Sequence, residues 1–165
     1  RDWSSDVCSS DLESLHAVKE LGLPALWFWP NPDAGSDGTS KGIRLFRERE
    51  PHANIHFFRN MNPDDFLRLL VHSKGIIGNS SVAIRECSYL GVPAVNIGSR
   101  QQGRERGANV IDVEHDRREI VSAARRHLSG DRPKRDTLYG NGDAGQRIAD
   151  CLAAREFTIE KRLTY

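Results

Sequence analysis

The chain has 165 residues, with 24 basic and 23 acidic side chains and a formal net charge of +1. That length suits one domain, able to withdraw roughly 70% of its unfolded surface from water. The balanced charge gives no support to bulk nucleic-acid binding, which shows as a strongly basic face, so any anion site must be local.

Residues 1–12, RDWSSDVCSSDL, are rich in Ser and Asp and lack clear periodicity. They are set apart as a non-native or disordered segment, although Ser10 and Glu13 fit a capping box. Leu12, Leu15, Val18 and Leu21 recur at helical spacing and Gly22 closes the run. ALWFW (25–29) is a short apolar run between turn residues, which predicts a buried strand, and a loop follows over 30–38. The stretch 40–50 reads as a helix with Ser40 as its cap, and NIHFFR (54–59) as a strand. Asn62, Pro63, Asp64 and Asp65 form a helix start: an N-cap, proline at the first helical position, then acids in the first turn. GII (75–77) is a strand, 81–90 a helix ended by Gly91, and PAVNI (93–97) and NVIDV (109–113) are strands. Asp116 caps a helix to about Leu128. A turn and a last helix fill 139–154, and a short basic tail ends the chain.

Strands alternate with helices through tight connections. That pattern predicts an α/β fold: a Rossmann-like, doubly wound parallel sheet with right-handed crossovers, over a domain at 13–165. Cys8, Cys87 and Cys151 are far apart and odd in number, without zinc spacing, and read as reduced thiols. No run approaches the ~20 apolar residues of a membrane span, and no secretory leader pattern opens the chain. A cytoplasmic protein with no nucleic-acid or membrane partner, no metal and no cofactor is expected.

In open parallel sheets, ligands bind beyond the carboxyl ends of the strands. Loops 30–38, 59–63 and 78–81 emerge there. Gly78 permits a tight turn, and Asn79, Ser80 and Ser81 stand at a helix start, where backbone N–H groups and the helix dipole favour an anion. A diphosphate suits it; plain N-capping is the simpler reading of the serines alone. Glu86 lies further into that predicted helix, and its side chain leans back toward the same mouth. A carboxylate there is suited to accept hydrogen bonds from ribose hydroxyls, or else to pair with Arg85 on the surface. Arg100 follows the next strand at the same edge, and guanidinium is a natural phosphate clamp. Arg104 and Arg106 lie further along the loop, where at least one of the three is a solvated charge.

Together, GNSSVAIRECSYLGVPAVNIGSRQQGRERGANVIDV, NPDAGSDG, FFRNMNPDDFLRLL and YGNGDAGQRIAD resemble the hydrolysing UDP-N-acetylglucosamine 2-epimerases of nonulosonate and sialic-acid synthesis. The resemblance covers roughly 13–165. It implies the C-terminal, UDP-binding half of a two-domain, GT-B-like fold, with the N-terminal domain absent. Carried over residue by residue, it places UDP contacts on Asn31, Met61 (through its backbone), Ser80, Ser81, Glu86 and Arg100. It places no catalytic residue in this chain, because the family's paired acids and histidine motif lie in the other half. His16, His52, His56 and His72 are not replacements. Where the family usually has Ser-Gly, this chain has Val82-Ala83, which removes a hydroxyl near the phosphates.

The implied chemistry is loss of the C2 proton with departure of UDP, giving 2-acetamidoglucal, then addition of water to give N-acetylmannosamine. The implied partners are a UDP-sugar, the missing N-terminal domain and, for the full-length protein, further copies of itself. A GT-B glycosyltransferase domain and a standalone UDP-sugar binding module are the alternatives. Lys41 and Arg44, on a surface helix, carry no assignment of regulation.

Overall fold

The computed structural model describes residues 3–30 and 36–156. The order is α1 (Trp3–Leu21), β1 (Ala25–Phe28), α2 (Ser36–Arg49), β2 (Ile55–Phe58), α3 (Pro63–His72) and β3 (Ile76–Gly78). A single 3-10 turn at Ser81–Ala83 follows, then α4 (Glu86–Leu90), β4 (Ala94–Ile97), β5 (Val110–Val113), α5 (Arg117–Ser129) and α6 (Ala144–Ala154). Every described strand pairing is parallel. The strands hydrogen-bond as two sheets, β1–β2 and β3–β4–β5, rather than as one continuous ladder. β3 is three residues long and spends its ladder on β4, with Ile76 opposite Ala94 and Gly78 opposite Asn96.

Alternation along the strands sorts the core onto two faces. Ile77, Val95 and Ile97 pack with Ala17 of α1 and with Ile120, Val121, Ala123 and Ala124 of α5. Ile76 points the other way, into a cluster of Leu70, Cys87 and Val92 contributed by α3, α4 and the turn after α4. A third cluster joins Leu15 and Val18 of α1 to Ile43 and Phe46 of α2 and Ile55 of β2, and Ile77 touches this cluster too. Helices therefore cover both faces, as the alternating sequence predicts. β1 is less buried than its apolar run suggests, since Leu26 is 39% exposed.

Local signals explain most element ends. The Asn62 side chain accepts from Asp64 N at 2.9 Å, and Pro63 opens α3. Asp116 Oδ1 accepts from the amides of Arg118 and Glu119 at 2.8 and 3.0 Å, which starts α5. Gly91 ends α4 in the left-handed region at φ 63°. Its α-carbon also lies so close to the Pro133 carbonyl that a Cβ would collide with it.

Three elements differ from expectation. α1 begins at Trp3, so residues 3–12, set apart in the sequence, continue the helix, and Ser10 and Glu13 lie within it rather than at a cap. Once Leu12 and Leu15 are held in the core, each added turn costs one residue's freedom for one hydrogen bond, and extension is easy. α2 begins at Ser36, ahead of the expected cap at Ser40. The single helix expected over 81–90 is broken into the 3-10 turn and the five-residue α4. The cause is tertiary: Asn109 Nδ2 donates to Ala83 O at 3.1 Å, taking up the carbonyl that a continuous helix would direct to Cys87.

Phe46 is 1% exposed at the centre of the α1–α2–β2 cluster. Phe46→Ala is expected to cost roughly 3–5 kcal/mol, as other phenylalanine truncations in cores do, measured by urea unfolding followed by circular dichroism. A loss under 1 kcal/mol would mean that α2 is not packed as described.

Candidate functional site

The carboxyl ends of β3, β4 and β5 form one edge. β3 ends at Gly78, with φ 151°, and the chain continues through Asn79 into Ser80 and Ser81. β4 ends at Ile97 and leads through Gly98 and Ser99 to Arg100, which is exposed. Gln101 ties these two loops: its buried side chain donates from Nε2 to Asn79 O at 2.8 Å. The segment carrying Arg100 is thereby held against the turn carrying Ser80 and Ser81.

The same loop is anchored a second time. Arg106 Nε donates to both Asp112 carboxylate oxygens, at 3.2 and 3.0 Å, and its NH2 donates to Gln101 O at 3.0 Å. Asn96, fully buried on β4, donates to Asp112 Oδ1 at 2.6 Å. Arg106 is therefore a structural clamp and not a solvated charge; its side chain is 25% exposed. Burial alone pushes the Asp112 carboxyl up, but the hydrogen bonds from Arg106 and Asn96 outweigh it and hold the group below its ordinary range.

The anion cradle differs in kind from the expected helix start. Val82 N reaches Ser80 Oγ at 3.4 Å, Ala83 N donates to Ser80 O at 3.1 Å, and the amides of Ile84 and Arg85 both donate to Ser81 O. The turn thus engages the amides of residues 82–85 internally, and α4 is too short to carry a strong dipole. What this edge offers an anion is the hydroxyls of Ser80 and Ser81 and the guanidinium of Arg100.

Glu86 opens α4 instead of lying deep in a longer helix. Its Oε2 is buried with no hydrogen-bond partner, an acceptor with its capacity unspent. The neighbouring Cys87 thiol is buried, and burial, with the Glu86 carboxylate adding to it, pushes it up to about 12. Cys87 is thus a packing residue, not a nucleophile. Met61 follows β2, partly buried, and its N–H is held by Asn60 Oδ1 at 2.9 Å. Asn31 lies outside the described residues. His16 packs edge-on against Phe46 at 5.3 Å, while His52, His56 and His72 are exposed.

The structure thus joins Ser80, Ser81 and Arg100 along one edge through Gln101, with Glu86 one turn further on. Sequence reasoning missed Gln101, Asn96, Asp112 and Asn109. A polar residue inside an apolar strand was the available signal for Asn96 and Asp112; nothing local marked Gln101 or Asn109. Two concave surfaces, of about 560 and 590 Å³, lie elsewhere, and neither is lined by Ser80, Ser81, Glu86 or Arg100.

Residues 6–153 match the family model described as UDP-N-acetylglucosamine 2-epimerase. The UDP-N,N'-diacetylbacillosamine 2-epimerase (hydrolyzing) of Legionella pneumophila is 29% identical over 138 residues, which is 84% of this chain and 36% of that protein. The UDP-N-acetylglucosamine 2-epimerase of Neisseria meningitidis is 28% identical over 139 residues, 82% of this chain and 36% of its own length. A Campylobacter jejuni GDP/UDP-N,N'-diacetylbacillosamine 2-epimerase (hydrolyzing) is 44% identical over 103 residues, covering 62% of this chain and 26% of that protein. The chain thus spans between about a quarter and about a third of the length of these relatives. The solved UDP-GlcNAc 2-epimerase of Methanocaldococcus jannaschii superposes over 93% of this chain and 43% of its own, with TM-score 0.70 and 19% identity. That likeness establishes the fold.

Because Asp112 is held low, its contribution to stability is complete above the ordinary carboxylate value of 3.8 and is lost as pH falls toward the folded value. Urea unfolding between pH 6 and 3 should show this loss in the wild type and a shallower one in Asp112→Asn. Identical profiles would remove Asp112 as the anchor.

Proposed function

Because the chain belongs to the UDP-N-acetylglucosamine 2-epimerase family, we propose that its β3–β4 edge binds the UDP portion of a UDP-N-acetylhexosamine. Ser80 and Ser81 donate hydroxyls to the diphosphate, and Arg100 clamps it from the facing loop. Glu86 accepts from the ribose hydroxyls, Met61 meets the base through its backbone, and Asn31 contacts the nucleotide from the first loop. The observation that carries the reading is the buried, unpartnered Oε2 of Glu86, an acceptor on the element that follows the Ser80–Ser81 turn. A buried acceptor without a donor costs on the order of 1–3 kcal/mol, and a ribose hydroxyl would recover it.

The reaction of this reading is hydrolytic 2-epimerisation. A base takes the C2 proton, the C1–O bond breaks with its electron pair leaving on UDP, and 2-acetamidoglucal forms. Water then adds across the double bond to give N-acetylmannosamine. The edge described here would hold the leaving group, and Arg100 would meet the negative charge that develops on the diphosphate. The base and acid lie in sequence beyond this chain, which spans 36% of two of its relatives. The chain by itself is therefore expected to bind without turning over. Family membership sets aside the glycosyltransferase alternative. The name of the Legionella relative supports a diacetamido sugar as readily as N-acetylglucosamine.

Calorimetric titration of the 165-residue chain with UDP, against CMP and AMP, tests the site. UDP should bind selectively, and Glu86→Ala and Arg100→Ala should each weaken it by about 1–3 kcal/mol, the worth of a charge-assisted hydrogen bond. Unchanged affinity in both variants sinks the site assignment. Absence of UDP binding by a cooperatively folded chain sinks the claim that this edge suffices.

A further inference from the structure

On the opposite side of the domain from the α3–α4 cluster, α1 and α5 enclose a cleft of about 560 Å³, within the size range of small-ligand sites. Glu20 of α1 lines one side; Arg118, Ser122, Arg125, Arg126 and Ser129 of α5 line the other. The α5 residues 118, 122, 125 and 129 recur at spacings of four and three, so they lie on one helical face. Val121, 4% exposed, forms the floor.

Guanidinium charge exceeds carboxylate charge here. Glu20 Oε2 accepts from Arg117 at 2.7 and 2.6 Å, and its Oε1 stands 3.9 Å from Arg125. One carboxylate thus orders two arginines and is offset by them. Arg118 and Arg126 have no acidic partner among the described residues. Asp116, which caps α5, and Glu119, whose carboxylate accepts from Glu114 N, do not line the cleft. Among the described residues that line the cleft, three guanidiniums face one carboxylate, a local excess of positive charge in a chain whose net charge is only +1.

We propose that this α1–α5 cleft binds an oligophosphate anion, at a site separate from the β3–β4 edge. Arginine forks and serine hydroxyls are all donors to phosphate oxygens. Arg118 to Arg125 spans seven residues, about 10 Å of helix, and a linear chain of phosphates presents acceptors along such a line. Among the described residues no aromatic ring lines the cleft, so its donors suit phosphates rather than a nucleobase.

Calorimetry of the full 165-residue chain with inorganic tripolyphosphate, and in a second arm with ATP, tests this. Tripolyphosphate should bind, and ATP should match it within about twofold. Arg118→Ala combined with Arg126→Ala should weaken binding by about tenfold or more. Ser122→Glu, which leaves every arginine in place but adds a carboxylate among them, should do the same. With the β3–β4 edge filled by saturating UDP, tripolyphosphate binding should persist. The proposal is overturned if the folded wild type does not bind tripolyphosphate under those conditions, or if the arginine pair can be removed without loss. Competition by UDP that abolishes the binding would move the anion to the β3–β4 edge and overturn it as well. ATP binding far tighter than tripolyphosphate would mean that a base is read and would also overturn it.

Discussion

Ile76 and Ile77 are adjacent on the three-residue strand β3 and point to opposite faces, and the layering of the domain follows from that alternation. Ile77 touches both the α1–α5 cluster and the α1–α2 cluster, so it joins the two sheets across one shared helical layer. Ile76 commits the other face to α3 and α4. With both faces covered, what remains open is the edge where the parallel strands end, and all three strands of the larger sheet end on the same side.

That edge is held by polar side chains rather than by apolar packing. Gln101 bonds Asn79 O, Asn96 bonds Asp112, and Asn109 bonds both Ala83 O and Val92 O. All three amides are buried, where a lost partner costs more than a surface hydrogen bond contributes. Such links have directions and lengths, so they set loop positions more narrowly than a cluster of isoleucines can. Asn109 shows the consequence, since by engaging Ala83 O it trades a continuous helix for a turn followed by α4. The amides of residues 82–85, which a regular helix start would have left partly free, are engaged within the turn.

Charge is divided in the same economical way. Among the loop arginines, Arg106 is committed to Asp112 and to backbone carbonyls, and Arg100 lies exposed after the strand end. Arg132 is likewise structural, reaching the carbonyls of Gly91 and Val71 at 2.9 and 2.8 Å and so tying the end of α4 to α3. On α5, Arg117 and Arg125 meet Glu20, while Arg118 and Arg126 have no acidic partner among the described residues. Near-zero net charge thus conceals a local order that composition cannot express.

Parallel α/β order, five strands, the capped starts of α3 and α5 and the left-handed end of α4 were legible in the sequence by itself. Each depends on residues within a few positions of one another: Asn62 with Pro63, Asp116 with its own helix, Gly91 with its φ. The family was legible too, because its motifs lie in order along the chain. Tertiary structure alone decided where 81–90 breaks, that Arg106 is a clamp, that α1 runs on to Trp3, and that Gln101 joins two loops. Those outcomes depend on partners 22 to 26 residues apart for Gln101 and Asn109, and a side-chain amide carries no local mark of which distant carbonyl it will meet.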